Sequence, residues 1–570
     1  MKYENFGAAI YCPVQNLIDI DDVKEFGKQF EFIIRNVKVD KVYLETYRGG
    51  VRIDREKILK IKEFFNELGI KTSGGITTDP ERSGNGGFDV FCYTNPANRT
   101  RLQAIVEFTA GLFDEIILDD FYFTNCKCDD CISAKGDRSW AEYRTGMMRE
   151  VSRDVFINPA KKVNPNINMI IKYPNWYEHY QESGYNLKDE SLIFDSIYTG
   201  TETRNPQYTQ QHLPKYLSYF NMRYLENVKP GKNLGGWFDP YECNYNLTSY
   251  ADQAYLTLFG KAKEATLFSL GSLLNEEFSL CIPLVGQVFA SMDKVLGQFG
   301  SPVGTACYLP YHSSGEDYLH NYLGMMGIPL EPYPYYPTEA QSIFLTEGAA
   351  MDKDIIDKIQ ASLKLGATVI VTSGFVGKTQ VKEFRNLAKI NVKPRRAQVN
   401  RYAYSLDGGV CFGGCAEASE KIIIPQLEYP TNDTWELVGA FGEDNSFPIL
   451  LKTSFSKGKL YVLTIPDDYG QLYELPRAVL KPIREAFSND ATVVLDSVSK
   501  VTLFTYDNDT FLVRSFRPYI DDLNIIVKRP NAKLQNLVTG KVMEGVTAQG
   551  MTTFKMILPP SSNRIFKIVD

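Results

Sequence analysis

Along the first three hundred residues, short apolar runs rich in β-branched and aromatic side chains alternate with longer stretches whose apolar positions recur every three or four residues. The runs predict buried strands at 6–14, 41–46, 70–77, 115–123, 167–173, 192–198, 234–238 and 265–270. The intervening stretches, among them 22–37, 54–68, 98–113 and 138–158, predict amphipathic helices, with start signals at Asp21-Asp22 and at the Asn95-Pro96 turn. Eight strands, each followed by a helix, predict a (β/α)₈ TIM barrel over 1–300, with an open doubly wound sheet as the alternative. No glycine-rich fingerprint follows the first strand, so a dinucleotide site has no support.

After residue 300 the texture changes. Strands are predicted at 305–309, 328–331, 342–345, 367–371 and 459–464, with helices at 352–365 and 476–487, which describes an α/β domain over 301–490. The last stretch, 491–570, breaks into short alternating strands at 492–495, 501–506, 510–515, 524–527, 533–536 and 553–558 separated by turns such as Asp507-Asn508-Asp509, the pattern of a small β-sandwich.

Composition narrows the function classes. With 44% hydrophobic and 23% charged residues the chain reads as globular. Sixty-two basic against 69 acidic residues give a net charge of -7, which argues against a nucleic-acid partner, since phosphates are bound through Lys and Arg. The amino terminus lacks the charged and apolar regions of a secretion signal, and no run approaches 18 apolar residues, so no membrane partner is expected and the chain reads as cytoplasmic unless a leader has been removed.

In a barrel the loops at the carboxyl ends of the strands build the active site. Those ends carry Glu45, Tyr47 and Arg48 after the second strand, Asp119 and Asp120 after the fourth, and Lys172 and Trp176 around the end of the fifth. Glu202 and Arg204 follow the sixth, and Trp237, Asp239 and Glu242 mark the seventh. Carboxylates, cations and aromatic rings converging on one face suit a sugar: rings stack on pyranose faces, charged groups bind hydroxyls and a carboxylate pair works on the glycosidic bond. The adjacent pair Asp119-Asp120, delivered by the apolar run Ile116-Ile117-Leu118, is the leading catalytic candidate. An Asp or Glu at a strand end also serves as a helix cap, and Glu45 and Arg48 are also placed to pair with each other.

Three cysteines, Cys126, Cys128 and Cys131, crowd the loop after the fourth strand, and Cys92 precedes the helix after the third, giving four thiolates for a tetrahedral metal site. With the turn Cys92-Tyr93-Thr94-Asn95-Pro96 leading to Arg99, this arrangement resembles glycoside hydrolase family 42, the β-galactosidases. The resemblance implies a structural zinc with no open coordination position and no organic cofactor. It also implies that 301–490 is a class I glutamine-amidotransferase-like domain that serves in assembly of a homo-oligomer. The family's acid/base is the Glu of an Asn-Glu pair after the fourth strand and its nucleophile a Glu after the seventh; here Asp120 stands in the first place and Asp239 or Glu242 in the second. The barrel α-galactosidases instead pair a strand-four Asp nucleophile with a strand-six acid/base, which promotes Glu202. Gly409-Val410-Cys411-Phe412-Gly413 matches a nucleophile elbow, but no histidine follows His320 to serve it.

These features together predict a glycoside hydrolase acting on an oligosaccharide, a galactoside or a related glycoside, with Asp120 as acid/base and Asp239 as its partner, and Asp119, Glu202 and Glu242 in reserve. The rival readings are a non-catalytic carbohydrate-binding or assembly protein that keeps the barrel, and a barrel hydrolase acting on an amide or a sugar lactone.

Overall fold

A computed structural model describes residues 2–81, 90–380, 383–405, 412–443 and 445–569. Cys411 and most of the glycine-flanked elbow lie outside the described residues. The chain divides into two compact units, Met1–Gly297 and Gln298–Asp570.

The first unit is a closed barrel. Its parallel strands are β1 (Gly7–Cys12), β2 (Lys41–Arg48), β3 (Lys71–Ile76), β4 (Glu115–Leu118), β5 (Asn168–Tyr173), β6 (Ser196–Gly200), β7 (Asn233–Phe238) and β8 (Glu264–Phe268). They pair in chain order, and β1 closes the ring by pairing with both β2 (Ala9 with Lys41) and β8 (Ala9 with Thr266). All eight overlap predicted strands because a parallel strand covered on both faces must be apolar along its length, although the sixth starts at Ser196 and not at 192, where the helix Leu187–Ile193 is still ending. The two-residue strand Val51–Arg52 adds a hairpin to β2.

The helices start where polar caps allow. Asp22, Asp54 and Asn95 each accept a bond from the first turn of Val23–Asn36, Arg55–Glu67 and Pro96–Ala110, satisfying donors that a helix end leaves free. A reciprocal Ser139–Glu142 capping box opens Trp140–Val151. The single helix predicted over 138–158 is interrupted there: Ser152–Ile157 widens into a π-helical turn before Asn158–Val163. The helical segment Glu276–Leu296 has the length and mean hydropathy of a membrane span, although Gln287, Asp293 and Lys294 interrupt any apolar run in it. Half of that segment is buried, and Ile282, Val285, Phe289 and Met292 pack in the interior, as in the core helix of a globular unit.

Inside the barrel, Ala9, Tyr11, Tyr43, Ile117, Ile170, Tyr198 and Trp237 form the central layer. Gly75 in β3 is what lets Tyr11 cross it, since a Cβ there would meet the Tyr11 phenol oxygen at 2.7 Å. At the amino ends of the strands lies a closed polar layer. Lys41 sits 2.9 Å from both Glu115 and Glu264, Ser73 and Asn168 donate to Glu115 at 2.8 and 2.9 Å, and Tyr43 donates to Glu264 at 2.7 Å.

In the second unit a nine-stranded sheet begins with five parallel strands in the order Leu330–Tyr333, Thr305–Tyr308, Ser342–Leu345, Thr368–Thr372 and Gly458–Leu463, as the sequence pattern indicated. Four antiparallel strands then extend it: Ser446–Phe455, Thr434–Phe441, Asn391–Tyr404 and Gly414–Glu428. These were not legible in the sequence, because exposed strands such as Asn391–Tyr404, with Lys393-Pro394-Arg395-Arg396, do not make an apolar run. The remaining residues form two antiparallel sheets that bury Leu495, Leu503, Phe511, Ile525, Phe554 and Phe566 in a common core.

Candidate active site

At the carboxyl ends of the barrel strands, β5 delivers Lys172 between two carboxylates. Its ammonium lies 2.5 Å from Asp120 after β4 and 3.1 Å from Glu202 after β6, with Asp119 at 3.6 Å. It also stands 4.6 Å from the centre of the Trp237 ring, so one face of the cation meets an aromatic floor. Burial opposes the charge on Lys172, but the three carboxylates outweigh it and hold the ammonium protonated well above the ordinary range.

The carboxylates themselves diverge. Burial, countered by Lys172 and reinforced by the Asp120 and Asp239 charges, pushes Glu202 up to about 7. Glu202 Oε2 is buried without a hydrogen-bond partner, which leaves that oxygen free to carry or deliver a proton. Asp120 is also raised, by burial and by its neighbour Asp119, against the pull of Lys172. Asp119 moves the other way: despite its burial, Lys172 and Arg48 hold it below the usual carboxylate range. Gly200 permits the tight turn into Glu202, because a Cβ there would meet the Asn175 nitrogen at 2.5 Å. Asn175 in turn donates its side-chain amide to the Glu202 carbonyl at 2.5 Å.

Asp119 belongs to a deeper, saturated layer. Arg48 donates to it at 2.7 Å and to Glu45 at 3.0 Å, Thr77 donates to it at 3.2 Å, and its other oxygen accepts the Asp120 backbone N–H at 2.8 Å. Glu45 is fully buried and accepts from the Tyr11 phenol at 2.6 Å, the Val14 N–H at 2.8 Å and the Thr77 hydroxyl. The Glu45–Arg48 pairing expected from their spacing is present, but it extends to Asp119 and so braces the strand-four carboxylates. Tyr11, Thr77 and Asn175 were not singled out in the sequence. A phenol in mid-strand gives no signal beyond an apolar run, and the two others are ordinary loop residues.

Asp239, the expected partner of Asp120, is instead clasped by Arg204, whose Nε and second terminal nitrogen donate to its two oxygens at 2.9 and 2.8 Å. Glu242 approaches Arg204 only to 3.9 Å and has a positive φ of 57°. The carboxylate that shares Lys172 with Asp120 is Glu202. The aromatic candidates separate likewise: Trp237 is 2% exposed and packs 4.4 Å from Tyr11 and 5.2 Å from Phe268, so it floors the site and does not line a rim. Tyr47 is buried beside Phe91 with Arg101 over its ring, outside the carboxylate network, and Trp176 stays partly exposed next to Asn175.

Six residues beyond Asp120 the same loop reaches the cysteines. The sulfurs of Cys92, Cys126, Cys128 and Cys131 all lie within 4.8 Å of one another, with Cys92 3.6 Å from Cys128 and 3.5 Å from Cys131. Four thiolates around one tetrahedral ion at about 2.3 Å are separated by about 3.8 Å, so the cluster fits a metal ion. Thr94 reaches the Cys131 sulfur at 3.1 Å and the Tyr143 hydroxyl at 2.6 Å, and the Tyr185 phenol donates to the Asp120 carbonyl. Thr94 thus ties the cysteine cluster to the helix Trp140–Val151, and Tyr185 holds the Asp120 end of the same loop.

Known proteins resemble the chain in its domains and in its fold. The family model described as "Probable glycosyl hydrolase, catalytic domain" matches residues 1–281, "Uncharacterized protein SSO3021, second domain" matches 300–468, and "Probable glycosyl hydrolase, C-terminal domain" matches 492–568. Uncharacterized protein SSO3021 of Saccharolobus solfataricus is 26% identical over 504 residues, 81% of this chain and 82% of that one. Among solved structures, α-L-fucosidase isoenzyme 2 from Paenibacillus thiaminolyticus superposes with a TM-score of 0.69 at 12% identity, covering 100% of this chain and 99% of its own. Gan42B, a family 42 β-galactosidase from G. stearothermophilus, gives 0.66 at 10% identity over 99% and 98%. At such identities the likeness is one of fold. The first 281 residues are thus a glycosyl hydrolase-like domain, and in its closed barrel and following sheet domains the chain has the fold of the family 42 enzymes.

Proposed function

We propose that the protein is a retaining glycoside hydrolase in which Asp120 is the nucleophile and Glu202 the acid/base. The observation that carries this reading is the shared ammonium. Asp120 and Glu202 oxygens lie 2.5 and 3.1 Å from Lys172 Nζ, so they can be no farther apart than those contacts laid end to end. That limit falls near the roughly 5 to 5.5 Å of retaining pairs and short of the roughly 6.5 to 9.5 Å that leaves room for an inverting water.

Glu202, protonated near neutrality, gives its proton to the glycosidic oxygen as that bond breaks. Asp120 attacks the anomeric carbon and forms a glycosyl ester. Because the Asp120 charge is one of the influences that raises Glu202, esterification of Asp120 lowers it and turns Glu202 into the base that deprotonates the incoming water. The water displaces Asp120, and Lys172 receives the restored carboxylate. Arg48, Glu45 and Asp119 hold Asp120 in place, and the Arg204–Asp239 pair fixes the neighbouring loop.

The sugar class follows from two weaker supports. The neighbours' names, β-galactosidase and α-L-fucosidase, both denote galacto-configured pyranoses, and the charged groups of Asp120, Glu202 and Lys172 suit the hydroxyls of such a ring. A galactoside or related glycoside is the proposed substrate. Zinc is the proposed occupant of the four cysteines, where it would fold the loop and leave no position for water. The proposed domain plan is 1–300, 301–490 and 491–570, with assembly through the middle domain. The test is release of 4-nitrophenol from α- and β-linked nitrophenyl glycosides by the intact protein, Asp120→Asn and Glu202→Gln. Turnover of one sugar that both substitutions lower a hundredfold or more supports the pair. Silence across the panel favours the carbohydrate-binding alternative.

A further inference from the structure

The buried face of the helix Trp140–Val151 carries one charge. Arg144, 5% exposed, shares that face with Tyr143, Met147, Met148 and Val151. A guanidinium seldom enters an interior without a partner charge, because the hydration it gives up is costly. Both acceptors that Arg144 finds are neutral carbonyls: Nη1 donates to Glu182, and Nη2 reaches Cys126 at 3.5 Å. Its Nε is buried with no hydrogen-bond partner. The guanidinium lies 4.7 Å from the centre of the Trp140 ring, which orients the cation and adds no anion. The exposed Glu182 carboxylate and the sulfurs of Cys131 and Cys126 are the negative groups that act on it.

We infer that Arg144 is the counter-ion of the metal centre formed by Cys92, Cys126, Cys128 and Cys131: its buried charge retains the metal-bound thiolates, and its terminal nitrogens fix the loop that carries them. The inference rests on the proposed zinc at those cysteines. A divalent ion offsets only half of the charge of four thiolates, so the filled site is an anion, and Cys131, 1% exposed, places part of it in the interior. Such a site needs cations and N–H donors beyond its own ligands. Lys127 and Lys135 also approach Trp140, 5.9 and 5.6 Å from its ring centre. Lys127 is exposed and Lys135 partly so, and water screens the charge of both. Of the three cations, only Arg144 has been taken out of water.

The test follows zinc and not turnover. Equilibrium competition with EDTA gives the zinc affinity of the full chain and its variants, with protein-bound metal counted by elemental analysis after gel filtration. Arg144→Met should bind zinc about 10- to 100-fold more weakly, the scale on which outer-sphere partners act, and Arg144→Lys, which keeps the charge, should restore most of that loss. Lys127→Gln and Lys135→Gln should stay within about threefold of the unmodified protein. Arg144→Gln, equally uncharged, takes the place of Arg144→Met if that variant does not fold. A mere strut between two carbonyls would lower the thermal midpoint of Arg144→Met and Arg144→Lys alike and leave zinc affinity unchanged. That result, Arg144→Lys binding as weakly as Arg144→Met, or an equal loss from Lys127→Gln overturns the counter-ion. Failure of the unmodified protein to take up zinc overturns the metal reading itself and the counter-ion with it, so the two failures are told apart.

Discussion

Two lysines, one partly buried and one fully buried, hold pairs of carboxylates at opposite ends of one barrel. At the amino ends Lys41 bridges Glu115 and Glu264, and at the carboxyl ends Lys172 bridges Asp120 and Glu202. Below, the carboxylate contacts are filled: Glu115 accepts from Lys41, Ser73 and Asn168, and Glu264 from Lys41, Tyr43 and Tyr198. Although burial opposes it, Glu115 is held below its usual range by Lys41 and these donors. Above, Glu202 keeps an unpartnered oxygen and rises to about 7, and Asp120 is raised as well. Both ends have a lysine bridge; what differs is whether donors saturate the acids, and that difference is why the upper pair is the one proposed to be catalytic. The same distinction applies to Glu316 in the second unit, which burial also lifts to about 7. Its oxygens are occupied by the N–H groups of Glu347 and Gly374 and by Thr372.

The sharpest way to break the comparison is substitution of the upper pair. Glu202→Gln should lower turnover by about 10² to 10⁴, the range of general acid–base catalysis, and Asp120→Asn, which removes the attacking carboxylate, by at least as much, both with unchanged circular dichroism. Glu316→Gln should leave turnover within twofold in the same assay. Lys41→Met should act on stability instead. It strands Glu115 and Glu264, partly buried, without their cation, so a loss of about 3 kcal/mol is expected in urea unfolding while the folded protein keeps its turnover number. Equal effects on turnover from Lys41→Met and Lys172→Met would erase the distinction.

The pH dependence sharpens it further. Glu202 must be protonated to act as the acid, so kcat/KM should fall as pH rises through about 7, a limb that Glu202→Gln abolishes and Lys172→Met, by removing the cation, shifts upward. For stability the signs differ. Glu202 has its folded value raised, so its contribution is present below the ordinary Glu range and is lost as pH rises through about 7. Glu115 has its folded value lowered, so its contribution is present above the ordinary Glu range and is lost as acid protonates it. Thermal midpoints measured from pH 3 to 9 on the protein and on Glu115→Gln should differ at neutral pH and converge in acid. The smallest effect expected on turnover concerns the cysteines. Elemental analysis should find about one zinc per chain, and Cys131→Ser should lower that content and the thermal midpoint before it affects the chemistry.

The barrel was legible in the sequence because buried parallel strands leave uninterrupted apolar runs, and because Asp119-Asp120 and the four cysteines stand at the end of one such run or beside it. The choice among acids was not. Sequence shows that Glu202, Asp239 and Glu242 follow strand ends, but which of them meets Lys172 depends on how the loops fold: Arg204, with a positive φ of 52°, pairs with Asp239, and Glu202 is left to the lysine. Trp237 posed the same difficulty: one residue of strand phase decides between rim and floor, and its side chain turns inward onto Tyr11. In the second unit, the parallel strands announced themselves and the antiparallel extension did not, since its exposed strands carry charges in place of a run.

The central claim is that Asp120 becomes covalently attached to sugar under the proton of Glu202. It is tested most directly by incubating the protein with 2-fluoro- or 5-fluoro-galactosyl fluorides, which slow release of a glycosyl ester, and mapping the adduct by peptide mass spectrometry. The account predicts a single fluorogalactosyl group on Asp120, absent from Asp120→Asn. Label on Asp239, Glu242 or another carboxylate, or turnover that proceeds with inversion and no adduct, would contradict it.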